Sequence, residues 1–314
     1  ILHLGAALGL NQPKPLHSWL SANEVTQLLA LAGFDVVRLG YTFLCPKRLW
    51  GIGEVMNRTI GRLPWVRRFC LIQYFIARPA VARPVRRYSV TIIVPVLRPS
   101  AALAGLVERL PVLGSSTEII LAVSADRADL RARVDAAVAS LSGRRAIRVV
   151  PFAPEAGWWA SRAQAAGELL LVLPADGSLD PGVLEKFYRV IAEANADVVV
   201  GSRLVYPSAL PWWRWLGHRS KSWLFSFIIG QRATDAACGA FALRRADAAA
   251  LPLEGLPLPA GAGALPYLAA AAKRGLKIAE VPVHFQLPSD DQAANRAGVP
   301  PDWPWWRFVH RHPW

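Results

Sequence analysis

Short runs of apolar residues alternate with amphipathic segments through most of the chain after residue 87. Six runs rich in valine, isoleucine and leucine have the length and composition of strands buried on both faces, as in a parallel sheet covered by helices. These runs cover residues 88–96, 117–124, 145–150, 167–173, 196–200 and 276–285. Apolar residues at helical spacing lie between them over residues 103–110, 183–191 and 267–274. The pattern predicts an α/β fold with a mostly parallel, Rossmann-like central sheet.

The segment from Gly167 to Pro207 contains the clearest chemical pattern. Its first strand ends in a turn with Asp176 and Asp180, a helix follows, and its second strand ends in Gly201-Ser202-Arg203. In a right-handed βαβ unit, the ligand lies at the carboxyl ends of the strands. An acidic turn beside a basic one suits a metal-bound diphosphate, because carboxylates hold divalent ions and a guanidinium binds phosphate through paired hydrogen bonds. The alternative is two loops whose charges face water.

The first 80 residues follow a different pattern. A capping box from Ser21 to Glu24 predicts the start of a helix, and Gly33 predicts its end. Strands are predicted over residues 34–44 and 69–79, with a basic link punctuated by proline and glycine between them. The predicted organisation is a domain over residues 1–80, a short basic linker over 81–87 and a domain over 88–314.

Composition narrows the class of protein. The 314 residues, 53% of them hydrophobic, are enough for one large domain or two. Cys45, Cys70 and Cys238 are far apart and fit neither a disulfide framework nor a zinc spacing, which favours a reducing compartment. No apolar run approaches the roughly 18 residues needed to span a bilayer, and no segment resembles a signal peptide. The chain begins with Ile1 rather than Met, which leaves open that it is a piece of a longer protein.

The net charge of +14 is concentrated in the first 87 residues, where lysine and arginine far outnumber acidic residues. Arginine mixed with tryptophan suits anionic lipid headgroups, near which each basic side chain contributes about 1 kcal/mol. Nucleic acid would attract the same charge, but no DNA- or RNA-binding motif accompanies it. We therefore expect a membrane surface or a phosphorylated ligand as partner, and no nucleic acid.

Residues 212–230 are rich in tryptophan, leucine, phenylalanine and isoleucine, with arginine and lysine in their first half. This composition is typical of a helix that lies in a membrane interface with its aromatic rings at headgroup depth. A helix buried in the core is the alternative. The tail over residues 302–314 is also aromatic and basic, so it is either a second interface anchor or the end of a longer helix.

These motifs resemble family 2 glycosyltransferases, which are inverting enzymes of GT-A fold, and especially their dolichyl- and polyprenyl-phosphate sugar transferase branch. The similar segments are the strand ending at Pro95, the Asp176 turn, Gly201-Ser202-Arg203, the Asp-x-x-Cys-Gly stretch from Asp235 and the Glu-Val-Pro-Val strand from Glu280. The resemblance covers residues 88–285. It implies transfer of a hexose from a nucleotide-sugar donor to a polyprenyl phosphate or another lipid-phosphate or glycoconjugate acceptor near the membrane. It also implies a weakly bound divalent metal, Mg²⁺ or Mn²⁺, and a cytoplasmic protein peripheral to the inner face of the membrane.

The resemblance also implies roles for individual residues of this sequence. Asp176 and Asp235 would be the catalytic carboxylates, with Asp176 and Asp180 as metal ligands. The donor would be bound by Pro95, Ser124, Asp126 and Arg162, and the acceptor phosphate by Arg203, Arg219 and Ser222. Alternatives from the residues themselves remain: Asp176 as a helix cap, Arg162 as a surface arginine and Cys238 as a packing residue. No dedicated general base is needed, because a phosphate acceptor is already anionic.

Residues 15–80 more weakly resemble the C-terminal end of a class I S-adenosylmethionine-dependent methyltransferase, with the closest likeness over 19–34. The glycine-rich cofactor loop is absent, so no S-adenosylmethionine is expected to bind this chain alone. The missing half would belong to a longer or a partner chain. A plain structural module without this ancestry is the alternative.

Four departures from the glycosyltransferase pattern support a rival interpretation. Arg98-Pro99 replaces the family's Asn-Glu, and Val123 occupies the position of the acidic residue that binds the nucleotide base. Pro174 replaces the first metal ligand, and residues 251–266 lack the acidic segment that relatives have. The chain would then be a degenerate, non-catalytic member that acts as a binding or scaffolding module.

Overall fold

The computed structural model of the protein describes a subset of its residues. They are residues 22–44, 57, 66, 70, 72–80, 87–100, 102–141, 146–194, 196–204, 212–229, 233–251, 253 and 263–286. Ser21, Cys45 and the tail over 302–314 lie outside them. The chain divides into two compact units, Ile1–Ala82 and Arg83–Trp314.

The first unit contains helix α1 (Ala22–Leu31) and strands β1 (Phe34–Thr42) and β2 (Ile72–Pro79). Gly33 has a φ of 78°, which a glycine adopts without strain, and its carbonyl accepts a hydrogen bond of 2.7 Å from the Ala80 amide. The two strands pair antiparallel, with a register irregularity between Val36 and Arg38. The order helix, strand, antiparallel strand agrees with the sequence pattern, and the methyltransferase interpretation stays a prediction.

In the part of the second unit that the structure describes, seven strands form one sheet. Its strands are β3 (Val90–Val96), β4 (Thr117–Ser124), β5 (Ile147–Phe152), β6 (Leu169–Val172), β7 (Val198–Ser202), β8 (Phe241–Arg244) and β9 (Ile278–Pro282). The helices of this part are α2 (Leu103–Glu108), α3 (Ala128–Leu141), α4 (Val183–Glu193), α5 (Trp212–Ile229), α6 (Arg245–Ala250) and α7 (Leu265–Lys273), with a 3₁₀ helix over Trp158–Gln164. The strand order is β5-β4-β3-β6-β8-β7-β9.

The sheet is mostly parallel, as the sequence predicts. Only β8 runs antiparallel, to β6 on one side and to β7 on the other. The unit β6–α4–β7 therefore has parallel strands, but β8 separates them in the sheet. Because β8 points the opposite way, the loop that precedes it meets the carboxyl ends of β6, β7 and β9 at one edge.

The central strands have no polar face. Every residue of β3, β6 and β7 is buried, including Thr91 and Ser202. Helices cover such a sheet on both sides, which explains why its strands are continuous apolar runs rather than alternating ones. Among the helices, α4 contributes Leu184, Phe187 and Ile191 to this core.

A carboxylate joins three strands to the end of the 3₁₀ helix. Glu118 Oε2 accepts hydrogen bonds from Thr91 Oγ1 (2.8 Å) and the Ala166 amide (3.0 Å), and Oε1 accepts one from Arg148 Nη1 (2.7 Å). Arg148 in turn donates to Gln164, the last residue of the 3₁₀ helix. Burial alone would raise the pKa of Glu118, but these hydrogen bonds and the charge of Arg148 hold it below its ordinary value.

We expect Glu118→Gln to lower the free energy of unfolding by about 1–2 kcal/mol at pH 7, because a charge-assisted hydrogen-bond network loses its charge. A carboxyl group with a lowered folded pKa stabilises the protein above its ordinary pKa of 4.5 and loses that contribution as the pH falls through the folded value. The difference between wild type and variant should therefore shrink in urea unfolding below that pH. Glu155→Gln, at an exposed turn, is the matched control. If wild type and Glu118→Gln differed in free energy of unfolding by the same amount at pH 7 and below the folded pKa of Glu118, the stabilising role of the ionised Glu118 would be contradicted.

Candidate functional site

A cavity of about 280 Å³ opens at the carboxyl ends of β3, β4 and β5. Its walls combine apolar side chains with a polar edge, the usual character of a small-molecule site. The lining residues are Leu97, Ser124, Asp126, Arg127, Phe152, Pro154, Gly157 and Trp158. Gly157 has a φ of 67°, which lets the chain turn tightly between the loop after β5 and the 3₁₀ helix.

Two of the four predicted donor-binding residues, Ser124 and Asp126, line this cavity. Ser124 Oγ donates a hydrogen bond of 2.5 Å to Asp126 Oδ1, and Asp126 is exposed. Pro95 is buried inside β3 opposite Ala122, and Leu97 reaches the cavity instead.

The third polar residue of the cavity, Arg127, was not predicted. Its Nε and Nη2 each donate a hydrogen bond of 3.0 Å to Asp129, which holds the pKa of that carboxyl at about 2. The sequence does contain a signal for the cavity, because most of its lining residues lie at the ends of strands β3, β4 and β5 or shortly after them.

Arg162, the remaining predicted donor residue, lies at the edge of an aromatic cluster beside the cavity. Its guanidinium carbon is 5.5 Å from the centre of the Trp159 ring, and Nη1 donates to the Trp159 carbonyl at 3.2 Å. Trp159 packs on Tyr267 with ring centres 4.5 Å apart, and Trp158 contacts both Trp159 and Phe241. Burial raises the pKa of Tyr267, an effect that the Arg162 charge partly offsets. Arg162 is thus held by an aromatic surface rather than extended into water.

A second group of polar residues is centred on Arg203, at the carboxyl end of β7. Its guanidinium donates to Asp235 through Nε (2.7 Å to Oδ2) and Nη2 (2.9 Å to Oδ1), and its backbone amide donates to Oδ2 at 3.0 Å. Asp235 is fully buried. Burial alone would raise the pKa of Asp235, but the charge and hydrogen bonds of Arg203 hold it below its ordinary value. Asp235, predicted to be a catalytic carboxylate, and Arg203, predicted to bind the acceptor phosphate, therefore form one buried ion pair.

The Asp176 turn lies next to this ion pair. The residues after β9 pass along it: Phe285 forms an isolated antiparallel bridge with Leu179, and the Gln286 amide donates to the Ser178 carbonyl at 2.9 Å. The ring of Phe285 also lies 5.6 Å from the Arg203 guanidinium carbon. The pKa of Arg203 is raised: burial opposes the charged form, but Asp235 outweighs it and Asp176 contributes in the same direction.

Asp176 is exposed, and its Oδ1 accepts hydrogen bonds from the Ser178 amide (3.0 Å) and the Ser178 hydroxyl (2.7 Å). The alternative that it caps the following helix is wrong, because α4 begins at Val183 with Gly182 as its N-cap residue. Asp180 is also exposed, and its Oδ2 points back to within 2.8 Å of where a Cβ on Gly182 would lie.

The described residues contain no group of three or more His, Cys, Asp and Glu side chains placed to hold a metal ion. A divalent ion is commonly held by one or two carboxylates together with substrate phosphates. Asp176 fits that lesser role, as a single exposed carboxylate that would share an ion with a diphosphate.

The other two predicted acceptor residues lie on α5. Ser222 is buried, and its Oγ accepts a hydrogen bond of 3.1 Å from the Ala236 amide, the residue after Asp235. Arg219 is exposed, with its guanidinium carbon 5.1 Å from the centre of the Trp215 ring. Cys238 is buried, and burial raises the pKa of its thiol to about 12, which favours packing over a nucleophilic role.

We expect Asp235→Asn to lower the free energy of unfolding by about 3 kcal/mol or more, because it leaves a mostly buried guanidinium without its counter-charge. Adding Arg203→Met should restore part of the loss, and urea unfolding of the two single variants and the double variant measures this coupling. The exposed pair Arg127–Asp129, treated in the same way, is the matched control and should show little change. Additive losses at Arg203 and Asp235 would contradict a buried ion pair.

No curated protein sequence matches the chain. Among solved structures, glucosyl-3-phosphoglycerate synthase from Mycobacterium tuberculosis is similar. Its complex with Mn²⁺, uridine diphosphate and glucosyl-3-phosphoglycerate has 18% identity and a TM-score of 0.45, over 65% of this chain and 74% of that chain. Its complex with Mn²⁺, UDP-glucose and phosphoglyceric acid has 18% identity and a TM-score of 0.47, over the same shares.

The sequence of the second unit matches a family model. The model described as "Glycosyl transferase family 2" matches residues 91–250, from β3 to the end of α6. The match spans both the cavity at β3–β5 and the Arg203–Asp235 pair, and it covers just over half of the 314 residues. The chain therefore belongs to glycosyl transferase family 2.

Proposed function

We propose that the chain transfers a hexose from a nucleotide-sugar donor to an anionic acceptor near a membrane, with polyprenyl phosphate as the acceptor class. The observation that carries the proposal is the clustering at one sheet edge of a cavity of about 280 Å³, an exposed carboxylate and a guanidinium. The cavity contains Ser124 and Asp126, and the Asp176 turn and Arg203 lie further along the same edge. Family membership supports the transferase class.

The donor nucleotide would occupy the cavity. Apolar walls from Leu97, Phe152 and Trp158 suit a planar base, and the Asp126 carboxylate accepts hydrogen bonds from base N–H or ribose hydroxyl groups. The diphosphate would extend towards Asp176. A divalent metal, when bound there, neutralises negative charge on the diphosphate as it leaves.

The acceptor would bind beside Arg203. In the reaction an anionic acceptor oxygen attacks the anomeric carbon, and the bond from that carbon to the nucleoside diphosphate breaks, with the electron pair leaving on the diphosphate. No proton has to be removed, because the attacking oxygen is already ionised. Asp235 balances the charge of Arg203, so Arg203 would contribute directed N–H groups while the exposed Arg219 contributes net positive charge.

The membrane part of the proposal rests on the surface of α5. Trp212, Leu216 and Trp223 are 76%, 53% and 45% exposed, although all three are apolar. At 100° per residue they form one stripe along the helix with Arg219, opposite the buried Phe225. The alternative that α5 is a helix buried in the core explains the buried side with Phe225 but not this exposed apolar stripe. Among the described residues, no helix has both the length and the apolar character that crossing a bilayer requires.

A specific observation also favours the second candidate, a non-catalytic binding module. Pro174 stands where the family pattern has a carboxylate, and it packs so closely on Gly239 that a Cβ on that glycine would lie 2.6 Å from Pro174 Cγ. The acidic side of the diphosphate site is correspondingly reduced.

Calorimetry with UDP, GDP and their hexose conjugates, with and without Mn²⁺, separates the two candidates. We expect Asp126→Asn to weaken nucleotide binding about tenfold, since a hydrogen bond to a charged group contributes about 1.5–3 kcal/mol. Asp176→Ala should abolish the Mn²⁺-dependent part of the affinity and leave the metal-free part. Asp135→Asn, on the exposed side of α3, is the control. A wild-type chain that binds none of these nucleotides would support the non-catalytic candidate.

Sedimentation with phosphatidylserine-containing vesicles tests the α5 stripe. Trp212→Ser and Trp223→Ser should each weaken binding about tenfold, since burial of a large apolar side chain contributes about 1.5–3 kcal/mol. Val112→Ser removes an apolar residue that is 78% exposed outside α5 and should have no effect. Equal binding of all variants would place the membrane contact elsewhere.

A further inference from the structure

Glu280 is a carboxylate at the functional edge that the proposed reaction does not use. It lies on β9 and pairs with Val200 of β7. Arg203 follows Val200 by three residues along the chain, just after the end of β7. Glu280 Oε1 accepts hydrogen bonds from the Thr234 amide (2.6 Å), the Thr234 hydroxyl (3.2 Å) and the Asp235 amide (3.3 Å). One oxygen atom thus binds two consecutive amides of the loop that contains Asp235.

The same loop determines where Arg203 points. Asp235 accepts all three hydrogen bonds that Arg203 makes through its amide, Nε and Nη2. Ser202 and Thr234 are also joined, through their hydroxyl oxygens at 2.7 Å. A shift of the backbone at residues 234–235 would therefore move the carboxylate and the guanidinium together.

The surroundings of Glu280 disfavour its charged form. Burial raises its pKa, hydrogen bonds from Thr234 and Asp235 partly offset this, and the charge of Asp235 raises it further. The charges of Glu280 and Asp235 thus oppose each other, and the hydrogen bonds from Thr234 and Asp235 hold Glu280 in place.

We propose that Glu280 is a positioning residue that fixes the backbone of Thr234 and Asp235 and thereby orients the Arg203 guanidinium towards an anionic ligand. Arg203 Nη1 makes no hydrogen bond to any residue that the structure describes, so its two N–H groups are available to bind a phosphate oxygen. This inference rests on the proposed function for the identity of the ligand. The orientation of Arg203 can be measured without any ligand.

The first experiment measures solvent exchange of the Arg203 Nε–H by NMR on the full chain with ¹⁵N-labelled arginine, assigned by its loss in Arg203→Lys. We expect slow exchange in wild type and exchange at least about tenfold faster in Glu280→Ala. Glu280→Gln keeps an oxygen acceptor for both amides and should stay within about twofold of wild type. Glu185→Ala, an exposed glutamate on α4, is the control. Should Glu280→Ala fail to fold, Glu280→Asp withdraws the acceptor by one methylene and should also speed exchange.

The second experiment titrates the same variants with inorganic phosphate. Glu280→Ala should weaken phosphate binding about five- to tenfold, and Glu280→Gln should restore it to within twofold of wild type. Unchanged Nε–H exchange in Glu280→Ala, or faster exchange with unchanged phosphate affinity, would overturn the inference. A wild-type chain that binds no phosphate would instead count against the proposed acceptor, while the exchange rates still decide whether Glu280 positions Arg203.

Discussion

The ion pair between Arg203 and Asp235 holds the functional edge of the sheet together. Removing two charges from water is expensive, and the cost is recovered only when geometry is good and the remaining polar atoms are satisfied. Here both carboxylate oxygens are used, one of them twice, and the amide of Arg203 is satisfied by the same group. Because Asp235 belongs to the loop before β8 and Arg203 to the turn after β7, the pair joins two neighbouring strands of the sheet at the edge where the proposed acceptor would bind.

The pair also determines what Arg203 can contribute. Asp235 already balances the charge of Arg203, so in the proposed reaction the selectivity of Arg203 for an anion would come from the direction of its remaining N–H groups. Net positive charge would be supplied instead by exposed residues such as Arg219 on α5. In the proposed site, oriented donors near the reacting atoms and exposed charge further out would separate orientation from attraction, and only the first needs a tightly packed environment.

The fold could be predicted well from the sequence because burial on both faces leaves a simple signature. Strand β4 has the bounds Thr117–Ser124 that its apolar run indicates, and the alternation of strands and helices correctly predicts a mostly parallel sheet. Strand β8 is only four residues long, and its pairing depends on partners more than 40 residues away in sequence, so no local pattern reveals it. For the same reason, Asp235 and Arg203 were each recognised as functional candidates while their contact with each other was not. The cavity residues Phe152 and Gly157 were missed as site residues, although the end of β5 and the loop after it were an available signal.

Pro174 has no side-chain oxygen, so Asp176 and Asp180 are the acidic side chains of this turn that could hold a metal. One oxygen of Asp176 is engaged by Ser178, and two carboxylates offer too few ligands to hold an ion before the nucleotide arrives. The rest of the coordination shell has to come from the diphosphate and water, so metal and donor are expected to bind together or not at all. Pro174 also packs closely on Gly239, in the loop that contains Asp235, and leaves no room for a Cβ there. The loss of a ligand at position 174 is thus compatible with catalysis, provided that the affinity for the donor is supplied by the cavity between β3 and β5 rather than by a metal bound in advance.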